Sequence, residues 1–369
     1  MSEIKNLAIL GCTGSVGRQT LSVVDAHPGL FRVKALTANG NEKGLKDLAA
    51  KYSPEFCALT EKDGDGANIT AATLDSVDTV VIAITGMKAI FPLRAALKAK
   101  KRVALANKES IVCGGELLKA ELDENRERLF PVDSEHSAIF QCIQGLFSKK
   151  EVSRIILTAS GGPFREYTAK QLEGVTVEMA LRHPSWNMGK KITIDCATLA
   201  NKGLEVIEAR FLFGVGADRI DVLIHPGSIV HSFVETVDGA LLAQLGAPDM
   251  RLPIQYALTW PKRLDSPVKR LSAADLAALR FELPDTERFP ALRMAYDALL
   301  AGGTATAVYN AANEAAVSAF LEGGAGFLDI PAAIESALCA IPARVPDSFE
   351  EILEADRRAR EHVLKFIAR

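Results

Sequence analysis

Asn6-Leu7-Ala8-Ile9-Leu10-Gly11-Cys12-Thr13-Gly14-Ser15-Val16-Gly17 runs from a short apolar segment straight into glycines at every third position, and a helical pattern follows over 16–26. A strand, a tight turn and a helix in that order bring backbone close to any bound pyrophosphate. Its charge would be met by the free N–H groups and positive end of the helix. Glycine spacing alone is a weak signal; its position between strand and helix supplies the context that makes it a nucleotide loop, against a plain βα turn. Thr13, Gly14, Ser15 and Val16 are the loop's candidate cofactor contacts.

Outward from this loop, apolar runs at 33–37, 79–84 and 102–105 alternate with helical patterns at 45–51 and 87–98. Strands separated by helices of that length imply a parallel sheet with right-handed crossovers, so residues 1–125 are expected to form a Rossmann-like, doubly wound α/β domain. An acidic residue ending the second strand would mark NAD, and 31–41 has none, which favours NADP. Thr37, Ala38, Asn39, Gly40, Asn41 and Lys43 lie where a 2′-phosphate would be met. Ala106-Asn107-Lys108-Glu109-Ser110 follows the 102–105 strand at the sheet's carboxyl edge, where Lys108 can reach a substrate oxygen and Asn107 and Glu109 the cofactor; a helix cap with an ion pair reads the same residues equally well.

Residues 126–260 read as an α+β catalytic domain with strands at 155–157, 192–195, 222–225 and 241–245 and a glycine-rich loop at 160–163. A proline-spotted connector at 261–290 leads to helical patterns at 291–300, 310–321, 330–340 and 349–367, a small C-terminal helical bundle within 291–369. Read as an extended segment, Pro131-Val132-Asp133-Ser134-Glu135-His136 puts Asp133 and Glu135 on one face, two carboxylates suited to a hard cation such as Mg²⁺ or Mn²⁺. Asn201-Lys202-Gly203-Leu204-Glu205 on a helix could give a phosphate grip from Asn201 and Lys202 and a third carboxylate from Glu205, or only a surface pair of Lys202 with Glu205. Ser160 can donate to phosphate oxygens, and the loop carrying Trp186 and Met188 can close over a ligand; His183 alone reads as a satisfied buried histidine.

Composition narrows the classes. Of 369 residues, 48% are hydrophobic and 24% charged, with a net charge of −3, so nothing draws the chain to nucleic acid or an anionic membrane. Six scattered cysteines without a Cys-x-x-Cys pair suggest neither zinc nor a disulfide framework and fit a reducing cytoplasm. The apolar run at 7–10 is too short for a signal segment, and no other run reaches membrane-spanning length.

Taken in order, Gly11 to Gly17, Ala106 to Ser110, Pro131 to His136, Ser160 to Pro163, His183 to Gly189, Asn201 to Glu205, His225-Pro226…His231 and Gly246 to Arg251 resemble the 1-deoxy-D-xylulose 5-phosphate reductoisomerase family over nearly the whole chain. The resemblance implies NADPH-dependent and Mg²⁺- or Mn²⁺-dependent conversion of a small phosphorylated sugar, by breaking and rejoining a carbon-carbon bond and then reducing the product to 2-C-methyl-D-erythritol 4-phosphate. It implies a homodimer. It further implies that Asp133, Glu135 and Glu205 hold the metal, with Lys108 and Ser134 beside the substrate oxygens. Ser160, Asn201, Lys202 and His183 would meet the phosphate, Trp186 and Met188 would belong to a lid, and Gly189 and Met250 would lie near the cofactor. Cys196 stands where the family usually has a phosphate-binding serine, and Gly40 where some members carry a lysine, so phosphate grip and NADPH preference are both expected to be weakened. Two other readings compete: an NADP oxidoreductase acting on another small phosphorylated substrate, and a non-catalytic NADP sensor.

Overall fold

Leu7, Ala8, Ile9 and Leu10 are fully buried, the state of a strand covered on both faces of a parallel sheet. The computed structural model describes residues 4–182 and 188–368. Strand β1 (Lys5–Leu10) is joined by β2 (Phe31–Ala38), β3 (Phe56–Leu59), β4 (Thr79–Ile82), β5 (Arg102–Leu105) and β6 (Leu129–Pro131) in the order β3-β2-β1-β4-β5-β6, every pair parallel. That is the doubly wound dinucleotide-binding order, reversing between β1 and β4. The expected Rossmann-like sheet is therefore present, with two strands more than the apolar runs mark: β3 is four residues long and follows Ser53-Pro54-Glu55, and β6 has three residues and ends in a proline an edge strand tolerates.

The described chain packs as two compact units. The first comprises Met1–Ser110, Leu118–Phe140 and Asp249–Arg270. Within it the Arg251–Thr259 helix packs on the Ser15–Ala26 helix, placing Ile254, Ala257 and Leu258 in one core with Leu21, Val24 and β1. Lys5 Nζ, donating to the Leu258 carbonyl at 2.6 Å, ties strand to helix.

The second unit comprises Ile111–Leu117, Gln141–Pro248 and Leu271–Arg369. Its mixed sheet, β10-β9-β7-β8, is made of β7 (Val152–Ala159), β8 (Ile220–Ile224), β9 (Val230–Thr236) and β10 (Leu241–Leu245), with only β7 and β8 parallel. Helices Ala291–Ala301, Ala305–Leu321, Asp329–Ala340 and Phe349–Ile367 form the expected bundle, and the first two of them pack on the Ala200–Phe213 helix.

Two local expectations fail. Residues 192–195 are not a strand but part of the Lys190–Ala197 helix: the Ile-Thr-Ile alternation is overridden by burial of Thr193, Ile194 and Asp195, with Thr193 Oγ1 donating to the Gly189 carbonyl at 2.9 Å. Residues 131–136 are not extended either, because a helix, Ser134–Ile143, begins inside them. Asp133 starts it. Its carboxylate accepts from the Glu135 N–H at 3.1 Å and its carbonyl from the Ser137 N–H at 2.8 Å, which is N-cap chemistry.

Candidate active site

At the switch point of the first sheet the Gly11 N–H and Cys12 N–H both donate to the Thr37 carbonyl, at 3.0 and 2.9 Å, which turns the chain sharply off β1. Gly11 has φ +84°, and a Cβ there would meet the Ala83 carbonyl oxygen at 2.5 Å. Gly17 lets the following helix press on the loop, since a Cβ there would fall 2.6 Å from Cys12 Cα. No side chain caps the Ser15–Ala26 helix, so its N-terminal N–H groups face the loop mouth, the arrangement a pyrophosphate needs. Thr13 is half-buried, Gly14 and Ser15 exposed, and Val16 leans on the core.

Beyond β2, Asn39, Gly40 and Asn41 are exposed while Ala38 is buried. Thr37 is withdrawn from any ligand: fully buried, it donates to Asn68 Oδ1 at 2.6 Å. Asn41 caps the Glu42–Tyr52 helix, accepting from the Gly44 N–H at 2.9 Å.

Asn107 stitches loops together, its amide nitrogen donating to the carbonyls of Ile84 and Gly86, each at 3.1 Å, and to Glu109 Oε2 at 2.8 Å, while its oxygen accepts from the Ser110 N–H at 2.8 Å. Lys108, thereby fixed at the carboxyl end of β5, forms an ion pair with Asp133. Burial pushes the Asp133 carboxyl up, but the Lys108 ammonium and the imidazole of His136, 3.4 Å away, outweigh it and hold the group well below the usual carboxylate range. Ser134 Oγ donates to Glu135 Oε2 at 2.5 Å.

In the second unit the glycine-rich loop after β7 closes on the end of the Lys190–Ala197 helix. Gly162, at φ +67°, comes so near that a Cβ would lie 2.7 Å from the Cys196 carbonyl oxygen, and its N–H donates to Ser160 Oγ at 3.3 Å. Ser160 and Cys196 are both half-exposed, and Gly162 links them, bonded to the Ser160 hydroxyl and pressed on the Cys196 carbonyl. Phe164 anchors the loop by an edge contact to Phe327, with centroids 5.2 Å apart.

One turn of the Ala200–Phe213 helix then carries Asn201, Lys202 and Glu205, all buried, with Asn201 Nδ2 donating to Glu205 Oε1 at 2.6 Å and Lys202 paired with Oε2. Asp133, Glu135 and Glu205 each offer a carboxylate oxygen, and these lie within 4.8 Å of one another. Three oxygen donors without thiolate or imidazole fit Mg²⁺ or Mn²⁺. Gly189 caps the Lys190–Ala197 helix, and Met250 packs on the first unit's core. His183 and Trp186 lie outside the described residues. The sequence reading missed the tie from Asn313 Nδ2 to Asp195 Oδ1 (2.8 Å), which pins the Cys196 helix to the bundle; a buried asparagine in an alanine-rich helix was its only trace.

Profiles described as 1-deoxy-D-xylulose 5-phosphate reductoisomerase match residues 7–64 and 62–115, its C-terminal domain 129–213, and DXP reductoisomerase C-terminal domain 245–362. The chain belongs to the 1-deoxy-D-xylulose 5-phosphate reductoisomerase family. The family's enzyme from Chlorobium chlorochromatii is 50% identical over 99% of this chain and 100% of its own, and that from Geobacter metallireducens 49% identical over 97% and 98%. Among solved family structures, that from Zymomonas mobilis in complex with NADPH superposes with a TM-score of 0.90 at 40% identity, covering 99% of both chains. A second, in complex with NADPH, fosmidomycin and magnesium, gives 0.91 at 37%, covering 99% and 98%.

Proposed function

We propose that this chain converts 1-deoxy-D-xylulose 5-phosphate to 2-C-methyl-D-erythritol 4-phosphate with NADPH and a divalent cation, within isoprenoid precursor synthesis. What carries the reading is the combination, in a chain of this family, of a phosphate loop at the sheet's switch point with the carboxylate group of Asp133, Glu135 and Glu205. When bound, Mg²⁺ or Mn²⁺ supplies a Lewis acid for the substrate's carbonyl and neighbouring hydroxyl, and NADPH supplies the hydride. Asp133, kept ionised by Lys108, is a ready ligand at neutral pH. Lys108 brings its ammonium beside the oxygen on which negative charge develops, and Ser134 orients the same end of the substrate. Asn201, Lys202, Ser160 and Cys196 take the phosphate, binding energy remote from the reacting carbons that can be used for closure. His183 and Trp186 are assigned to the phosphate end and the lid by family resemblance.

We further infer a homodimer in the cytoplasm. The first rests on β10, an edge strand with Leu241, Leu242 and Leu245 exposed; the second on six cysteines outside any disulfide. No helix among the described residues is long and apolar enough to cross a membrane.

The test is Glu205→Gln. Oxidation of NADPH with the xylulose substrate and Mg²⁺ should fall about a hundredfold or more, while NADPH binding, followed by fluorescence, is unchanged. Turnover equal to that of the unmodified chain would reject the metal assignment.

A further inference from the structure

The parallel register of β2 with β3 sets Ala38 opposite Leu59, so the residues that follow Leu59 stand beside those that follow Ala38. Thr60 Oγ1 donates to Asn39 Oδ1 at 3.0 Å and to the Ala38 carbonyl at 3.5 Å, and the Glu61 N–H donates to the Asn39 carbonyl at 3.4 Å. Asp63 Oδ2, accepting from the Leu59 N–H at 2.8 Å, closes the same turn. The Glu61 side chain lies over Gly40, where an added Cβ would run into its Oε2. Glycine at 40 is what leaves room for that carboxylate. The other charges nearby are arranged differently: Glu42 engages both Lys46 (2.9 Å) and Lys62 (2.7 Å), and Lys43 is exposed on the helix.

In a doubly wound site the cofactor's adenosine ribose is read just beyond the second strand, by an acid that accepts from a 2′-hydroxyl and would repel a 2′-phosphate. β2 provides no such acid, but the turn after β3 delivers one to the same place. We infer that Glu61 sets the balance between NADPH and NADH in this chain. Its carboxylate accepts from the 2′-hydroxyl of NADH and opposes the 2′-phosphate of NADPH, so the preference for NADPH is weak and NADH is also bound. The inference rests on the nucleotide reading proposed above.

Calorimetric titration of the full chain and of Glu61→Gln with NADPH, NADH, 2′,5′-ADP and 5′-AMP tests it. In the variant NADPH and 2′,5′-ADP should bind about fivefold tighter, NADH and 5′-AMP no tighter than before, because removing one exposed like charge at close range is worth about that factor. The gain should shrink as salt is raised. Glu61→Lys should carry the shift further, and the exposed position makes loss of folding in either variant readily distinguished by circular dichroism. An NADPH-to-NADH affinity ratio that moves by less than about twofold in both variants overturns the inference. Failure of the unmodified chain to bind either dinucleotide overturns the nucleotide reading itself, and this inference with it.

Discussion

Asp133 shows how a site residue can be legible while its geometry is not. Two acids flanking a serine announce candidate oxygen ligands, but not by alternation along a strand, because Asp133 caps a helix and Glu135 lies in its first turn. The Lys202–Glu205 pair is legible as an i,i+3 pair on a helix, but it is buried and not at the surface, whereas only folding brings Lys108 to Asp133. Cys196 is a sharper case. Its backbone carbonyl stands beside the Ser160–Gly162 turn, and at a position proposed to meet the phosphate a hydroxyl would be a stronger donor than its thiol. Cys196→Ser should therefore lower KM for the phosphorylated substrate by about two- to tenfold, the worth of one improved hydrogen bond, with kcat little changed. Steady-state kinetics at saturating NADPH and Mg²⁺ decide it; a KM equal to that of the unmodified chain would remove Cys196 from the phosphate site.

At the scale of elements, β1, the Ser15–Ala26 helix and the four bundle helices are readable from periodicity; β3, β6 and the helical 192–195 are too short or too β-branched to reveal their state locally, and β9 and the long Glu109–Glu124 helix were missed as well. The glycine loop divides in the same way. Its spacing treats Gly14 and Gly17 alike, but packing separates them: a Cβ at Gly17 would run into Gly11 O, its nearest atom, whereas at Gly14, with φ −75°, the same oxygen is 3.3 Å away. Gly17→Ala should accordingly destabilise the first unit by about 1–3 kcal/mol, since neither backbone segment can yield. Gly14→Ala should cost less, under about 1 kcal/mol of stability, since only the Gly11 carbonyl has to yield, yet it should weaken NADPH binding if this exposed glycine lies in the loop that takes the pyrophosphate as proposed. Urea unfolding and NADPH titration on both variants separate the two roles, and equal stability losses would show that the helix does not press on the loop as described.

At the scale of the molecule, the two edges of the second unit's sheet are treated unequally. Beyond β8 the backbone of Glu282 pairs with Ile224 through reciprocal hydrogen bonds of 2.8 and 2.9 Å, so that edge is covered by the chain itself. β10 has no such cover among the described residues. It exposes Leu241, Leu242 and Leu245 at 54, 38 and 37%, with Val237 at 68% in the turn before it. An edge left in that state invites further strand pairing, and proteins that remain monomeric usually block it with lysine or proline. Here neither residue type occurs in Leu241–Leu245, which is why a second copy of the chain is the proposed occupant. Leu241→Lys with Leu245→Lys places charges along the strand without disturbing its pairing to β9, whose hydrogen bonds are backbone. Light scattering after gel filtration should then give a mass close to one chain instead of two, with an unchanged circular dichroism spectrum. A doubly substituted chain that still elutes as a dimer would mean that the contact lies elsewhere and that the leucines of β10 are simply exposed.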